Sequence, residues 1–106
     1  MSRQQALGRV VDKAMVAIRA DAKDALAPLH AYDARHNGDL VRTLSVYLTH
    51  GCNASRAAEE LYLHRSGLLY RLARIEALLG VSLASFRDRL ALELAIVVES
   101  ENAESC

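Results

Sequence analysis

The sequence predicts an all-α protein, a compact bundle of five to six helices, and three observations carry that prediction. Apolar residues make up 52% of the 106 residues while aromatics reach only 5%, so the apolar mass is Ala, Leu and Val. One proline and five glycines give too few chain breaks for a many-turned β-sandwich. Apolar positions also recur at spacings of three and four through most of the chain, the period of a half-buried helix. A chain of this length forms one hydrophobic core, not two.

The first element opens at Ser2, which with Gln5 matches a capping box. Ala6, Leu7, Val10, Val11, Ala14, Met15 and Ile18 follow at helical spacing to about Ala20. Residues 1–23 therefore read as an amphipathic helix that serves as a linker or a dimerisation arm. The helix is expected to continue through Leu26 until Pro28 kinks or restarts it, because proline has no N–H for the helical ladder. A short segment from Pro28 to His36 should then turn Leu29 and Tyr32 inward and break at Asn37-Gly38.

Asp39 is the expected N-cap of the next helix, which presents Leu40, Val41, Leu44, Val46, Tyr47 and Leu48 and stops at Gly51. Asn53 caps a short helix whose inner face is Ala57, Ala58 and Leu61. Tyr62 and Leu63 form a turn, with Leu63 between the helices and Tyr62 packed at the turn. The following helix runs from about Arg65 to Leu79 and ends at Gly80. Its buried stripe is Leu68, Leu72, Ile75 and Leu79, with Ser66, Leu69, Tyr70, Ala73 and Arg74 broadly opposite. Val81 and Leu83 pack as a connector. Ser85 and Asp88 then start a last helix carrying Phe86, Leu90, Leu94, Val97 and Val98. Residues 99–106 read as a polar tail, disordered at its end.

Charge gives the functional signal. The net charge is zero, but acids gather near the ends while Arg56, Arg65, Arg71 and Arg74 cluster centrally. The helix from Arg65 holds no carboxylate until Glu76. A helix that only fills a core has no reason for this asymmetry. A helix facing phosphates does, since each acid there would meet a like charge. Two short amphipathic helices joined by a tight turn, the second basic, have the form of a helix-turn-helix.

Those residues carry a resemblance. The segment 24–98 resembles the C-terminal DNA-binding domain of PucR-like transcriptional regulators, the purine-catabolism and sugar-diacid group. The matching pieces are Leu29-His-Ala-Tyr-Asp33, Asp39-Leu-Val-Arg-Thr-Leu44 and Asn53-Ala-Ser-Arg-Ala-Ala58. His64-Arg65, Tyr70-Arg-Leu72, Arg74-Ile-Glu76, Leu78-Leu-Gly80 and Asp88-Arg-Leu90 complete the series in order. The resemblance implies a Fis-like helix-turn-helix near the centre of the bundle. It also implies double-stranded DNA as partner, a homodimer on DNA, a cytoplasmic location, and an upstream sensory domain that is absent from this chain.

By the same resemblance, Asn53 and Ser55 would meet phosphates at the first helix's start, where free backbone N–H groups favour anions. Arg65 would contact a guanine edge or a phosphate, and Leu69, Ala73 and Arg74 would line the groove. Arg56, His64, Ser66 and Tyr70 complete the expected contact set, with His64 capping the second helix or touching phosphate. The chain departs from the family at Ser66-Gly67, where Asn-Thr is common, and at Leu69, a position often polar or basic.

Other chemistries find little support. The four histidines (His30, His36, His50 and His64) show no metal-ligand spacing, and Cys52 and Cys106 stand far apart as reduced thiols. No nucleophile motif, phosphate loop or carboxylate pair argues for an enzyme, and no cofactor or metal is expected. No apolar run reaches the length of a membrane span. The competing expectation is a protein-interaction module, a helix-turn-helix fold that has lost its DNA contacts. Zero net charge, Gly67 and Leu69 favour that alternative.

Overall fold

The computed structural model describes residues 2–104, and within them the chain is all-helical with five helices. They are α1 (Arg3–His36), α2 (Leu40–Thr49), α3 (Ala54–Glu60), α4 (Arg65–Leu79) and α5 (Phe86–Glu104). Helix α1 is the spine. It packs against α5 most extensively and also against α2 and α4, while α3 packs on α2 and α4.

Helix α1 opens with the expected capping box: Ser2 Oγ accepts the Gln5 N–H and Gln5 Oε1 accepts the Ser2 N–H. The expected interruption at Pro28 is absent, and α1 is one helix of 34 residues. A proline in a helix interior costs roughly 3 kcal/mol because its ring and missing N–H disturb the preceding turn. Here Pro28 and Asp24, whose carbonyl loses its ladder donor, both lie on the exposed side. Water can satisfy that carbonyl. Leu26 and Leu29, each fully buried, anchor the helix on either side. The helix ends at Asn37, which takes the left-handed conformation at φ 50°.

The core is built from Leu26, Leu29, Leu44, Leu68 and Ile75, all fully buried, with Ala57 and Ala58 beneath α3. The expected inner faces of α3 and α4 are observed: Leu61, Leu68, Leu72 and Ile75 are buried and Leu79 is half-buried. Leu63 is half-buried rather than enclosed.

Helix α5 turns inward only part of the set of large residues that the sequence singles out, Val98 buried and Leu94 half-buried. Leu92, Ala95 and Val98 are buried, whereas Phe86 is 73% exposed and Leu90 and Val97 also face outward. Ala22 and Ala25 of α1 and Ala91 and Ala95 of α5 line a shallow, mostly apolar hollow between the two helices. Helix α5 continues to Glu104, so the first part of the polar tail is helical. Cys106 lies outside the described residues.

Two histidines are tied to carboxylates. His30 Nε2 meets Glu99 at 2.8 Å and His50 Nε2 meets Glu60 at 2.7 Å. Among the described residues, no helix is long and apolar enough to cross a membrane.

Candidate nucleic-acid interface

Helix α2 and α1 set the platform. The N-terminus of α2 is capped across the chain rather than locally. Asp39 stands at the N-cap, yet its side chain makes no cap bond. Instead Asp33 of α1 accepts the Leu40 N–H at 2.8 Å and the Val41 N–H at 3.1 Å. Thr43, fully buried, donates its hydroxyl to the Asp39 carbonyl.

Helix α3 begins where Asn53 Oδ1 accepts the Arg56 N–H at 3.0 Å, the expected cap. The reversal into α4 turns on Tyr62, whose φ of 56° lies in the left-handed region. Its ring is 94% exposed and does not pack at the turn as the sequence suggested. The backbone makes the turn by itself: the Tyr62 N–H donates to the Glu59 carbonyl and the Leu63 N–H to the Ala58 carbonyl. A ring on a left-handed residue at a tight reversal is carried away from both helices. His64 is the N-cap of α4, but its side chain forms no capping bond.

With Leu68, Leu72 and Ile75 turned inward, the helical period leaves Arg65, Ser66, Leu69, Tyr70, Ala73 and Arg74 exposed along successive turns of α4. These six share one outward face. Asn53, Ser55 and Arg56 are also exposed, on α3. Arg56 stands apart, in a separate hollow lined by His50, Glu59, Glu60 and Tyr62.

Among the described residues, none of Arg56, Arg65, Arg71 and Arg74 forms an ion pair with a carboxylate. Arg71 reaches inward, donating from Nη1 to the Thr43 hydroxyl at 3.3 Å, so it braces α4 on α2. Arg74 is held by aromatic groups. Its Nη2 donates to the Tyr70 hydroxyl at 2.8 Å. Its guanidinium carbon lies 5.6 Å from the Tyr70 ring centre and 5.9 Å from that of Tyr32 on α1. The Tyr70 hydrogen bond favours the cation and raises the Arg74 pKa. Tyr32 in turn lies against His36, with ring centres 4.4 Å apart and ring planes tilted by 36°.

These residues border an open cleft of about 440 Å³ between the end of α1 and α4. It is lined by Tyr32, His36, Asn37, Gly67 and Tyr70, together with Arg71 and Arg74. The sequence reading missed the α1 contribution. Tyr70 and Arg74 stand four apart on one helix, a local signal for their contact. The sequence marks Tyr32 as inward-facing but not as a neighbour of Arg74, since that contact exists only once α1 and α4 pack.

Comparison with known proteins places this geometry. Residues 40–98 match the PucR C-terminal helix-turn-helix domain. The chain belongs to that family. It is 36% identical over 73 residues to the proline-responsive transcriptional activator PutR of Bacillus subtilis, covering 69% of this chain and 18% of that protein. It is 40% identical over 76 residues to the carbohydrate diacid regulator of Escherichia coli, covering 72% of this chain and 19% of that protein. The purine catabolism regulatory protein of Bacillus subtilis is 46% identical over 57 residues, 54% of this chain and 11% of the relative. The chain thus spans less than a fifth of the length of these three relatives. No solved structure matches it.

Proposed function

We propose that the chain binds duplex DNA sequence-specifically, as the output domain of a transcriptional regulator, with α4 in the major groove. The observation that carries this reading is the outward face of α4, where Arg65 and Arg74 stand without a carboxylate partner among the described residues. Membership of the PucR helix-turn-helix family supports it. In this reading Asn53 and Ser55 meet phosphate at the start of α3, with Arg56 and His64 beside them. Arg65 and Arg74 meet a guanine edge or a phosphate, while Ser66 and Tyr70 add polar contacts. Leu69 and Ala73 offer apolar contact to thymine methyl groups.

One helix of this size reads too few base pairs for specificity, so two copies on paired half-sites complete the reading. No cofactor takes part. Sensing of a metabolite belongs, in this reading, to a separate domain, as the relatives named for proline, carbohydrate diacids and purines suggest.

The test is a mobility shift on a duplex selected by the chain from a randomised pool, repeated across a salt series. Affinity should fall steeply with salt, because each phosphate contact releases counterions. Arg65→Ala and Arg74→Ala should each cost ~1–3 kcal/mol of binding if they read guanine, with the fold intact. Helical double-mutant protein that binds as tightly as the wild type would refute the reading. Salt-insensitive binding would favour the interaction-module alternative.

A further inference from the structure

Arg74 projects from a surface helix, a setting in which a long side chain ordinarily samples many rotamers and loses that freedom on binding. Here it is bracketed. Tyr70 takes one N–H at 2.8 Å and offers its ring at 5.6 Å, while Tyr32 offers a second ring at 5.9 Å. Tyr32 itself is half-buried and lies against His36 with the ring planes tilted by 36°, so its ring has packing on its far side as well. The acids bordering this corner are engaged elsewhere: Asp33 holds two backbone N–H groups of α2, and Asp39 lies 3.6 Å from Arg42. Among the described residues, the guanidinium forms no hydrogen bond besides that to Tyr70 and no ion pair.

We infer that Tyr32 is a positioning residue for DNA recognition, fixing Arg74 in its binding posture from a helix outside the helix-turn-helix. This rests on the proposed DNA reading and extends it. The surface that determines affinity includes the last turns of α1, which precede the family match at residue 40. The physical logic is preorganisation. A side chain held before contact loses less entropy on binding, so the same hydrogen bonds yield more affinity.

The positioning part can be tested without DNA. In the free protein, ring currents should shift the Arg74 side-chain protons in an NMR spectrum. That shift should diminish in Tyr32→Leu and persist in Tyr32→Phe, which keeps the ring. The binding part uses a duplex selected from a randomised pool. Tyr32→Leu should weaken binding about two- to five-fold, the scale of an exposed cation–π contact. Tyr32→Phe should restore it. In an Arg74→Ala background, Tyr32→Leu should have no further effect, because the partner it positions is gone. Arg74→Lys, which keeps the charge but loses the flat stacking surface, should respond to Tyr32→Leu less than the wild type does.

Several results would overturn the inference. One is an equal loss from Tyr32→Leu with and without Arg74, which would make Tyr32 merely structural. A second is the absence of a ring-current shift in the wild type. A third is Tyr32→Leu protein that loses the shift yet binds unchanged. If the shift behaves as expected and Arg74→Ala binds like the wild type, the DNA reading of Arg74 fails first and takes the inference with it. Melting temperatures of all variants separate these outcomes from simple unfolding.

Discussion

Asp33 accepts the backbone N–H of Leu40 at 2.8 Å, capping α2 from seven positions upstream while the residue at the N-cap, Asp39, makes no side-chain cap bond. The same carboxylate holds the Val41 N–H with its other oxygen. Asp33→Ala should therefore destabilise the fold by ~1–2 kcal/mol, the range of a lost helix cap. Asp39→Ala should cost less, since its side chain makes only a long surface pair with Arg42. Urea denaturation of the two variants gives the comparison, and a larger loss from Asp39→Ala would reverse the assignment.

Gly38 makes that reach possible. A Cβ added there would lie 2.9 Å from Asp33 Oδ1, so the carboxylate would have to leave the Leu40 N–H to make room. We expect Gly38→Ala to destabilise by about as much as Asp33→Ala, roughly 1–2 kcal/mol. Combining the two should cost little more than either alone. Additive losses in the thermal melts would show that Gly38 serves some other purpose.

Gly67, the third residue of α4, has open space where a Cβ would sit. Gly67→Thr should thus fit, and replacing a helical glycine recovers a few tenths of a kcal/mol up to ~1 kcal/mol of stability. It also places a hydroxyl near the proposed phosphate path, where a charge-assisted bond would tighten duplex binding by ~1 kcal/mol or more. Greater stability with weaker binding would mean that the glycine serves close approach of the DNA backbone.

The first half of α1 carries Leu7 at 61%, Val10 at 66% and Val11 at 44% exposure. If this arm is the dimer surface, replacing all three with serine should leave the folded monomer intact and abolish self-association in sedimentation. Unchanged sedimentation would assign the pairing of copies to another surface.

Burial holds the Tyr47 hydroxyl above its ordinary pKa of 10.0, with the neighbouring Cys52 adding to the shift. A raised folded value means that the folded state disfavours the phenolate. Stability is therefore complete below pH 10.0 and is lost as pH climbs through the folded value. The melting temperature of the wild type should fall more steeply above that pH than that of Tyr47→Phe. Parallel curves for the two proteins would contradict this.

What was legible in the sequence was whatever depends on local period or local capping. Ser2, Asn53 and Gly80 mark real helix boundaries, and the spacing of Leu68, Leu72 and Ile75 identifies the buried side of α4 and hence its outward face. The features that escaped depend on packing between helices. Pro28 reads as a kink or a restart, yet the helix does not restart there and Leu26 and Leu29 are buried on either side of it. Phe86 stands among the large apolar residues of α5, yet it stays exposed while Leu92, Ala95 and Val98 turn in against the bundle. Asp33 and Tyr32 belong to a family-like stretch, but their contacts with α2 and Arg74 exist only once α1 is laid against α2 and α4.

The continuity of α1 bears on where the folding unit begins. The family match starts at Leu40, but Leu26 and Leu29 fill the core beneath it, Asp33 closes α2 and Tyr32 flanks Arg74, all from residues upstream. A fragment cut at the family boundary would keep every residue of the helix-turn-helix and lose the floor it stands on. We expect the smallest portion of this chain able to fold alone to extend well upstream of residue 40, through the buried turns of α1.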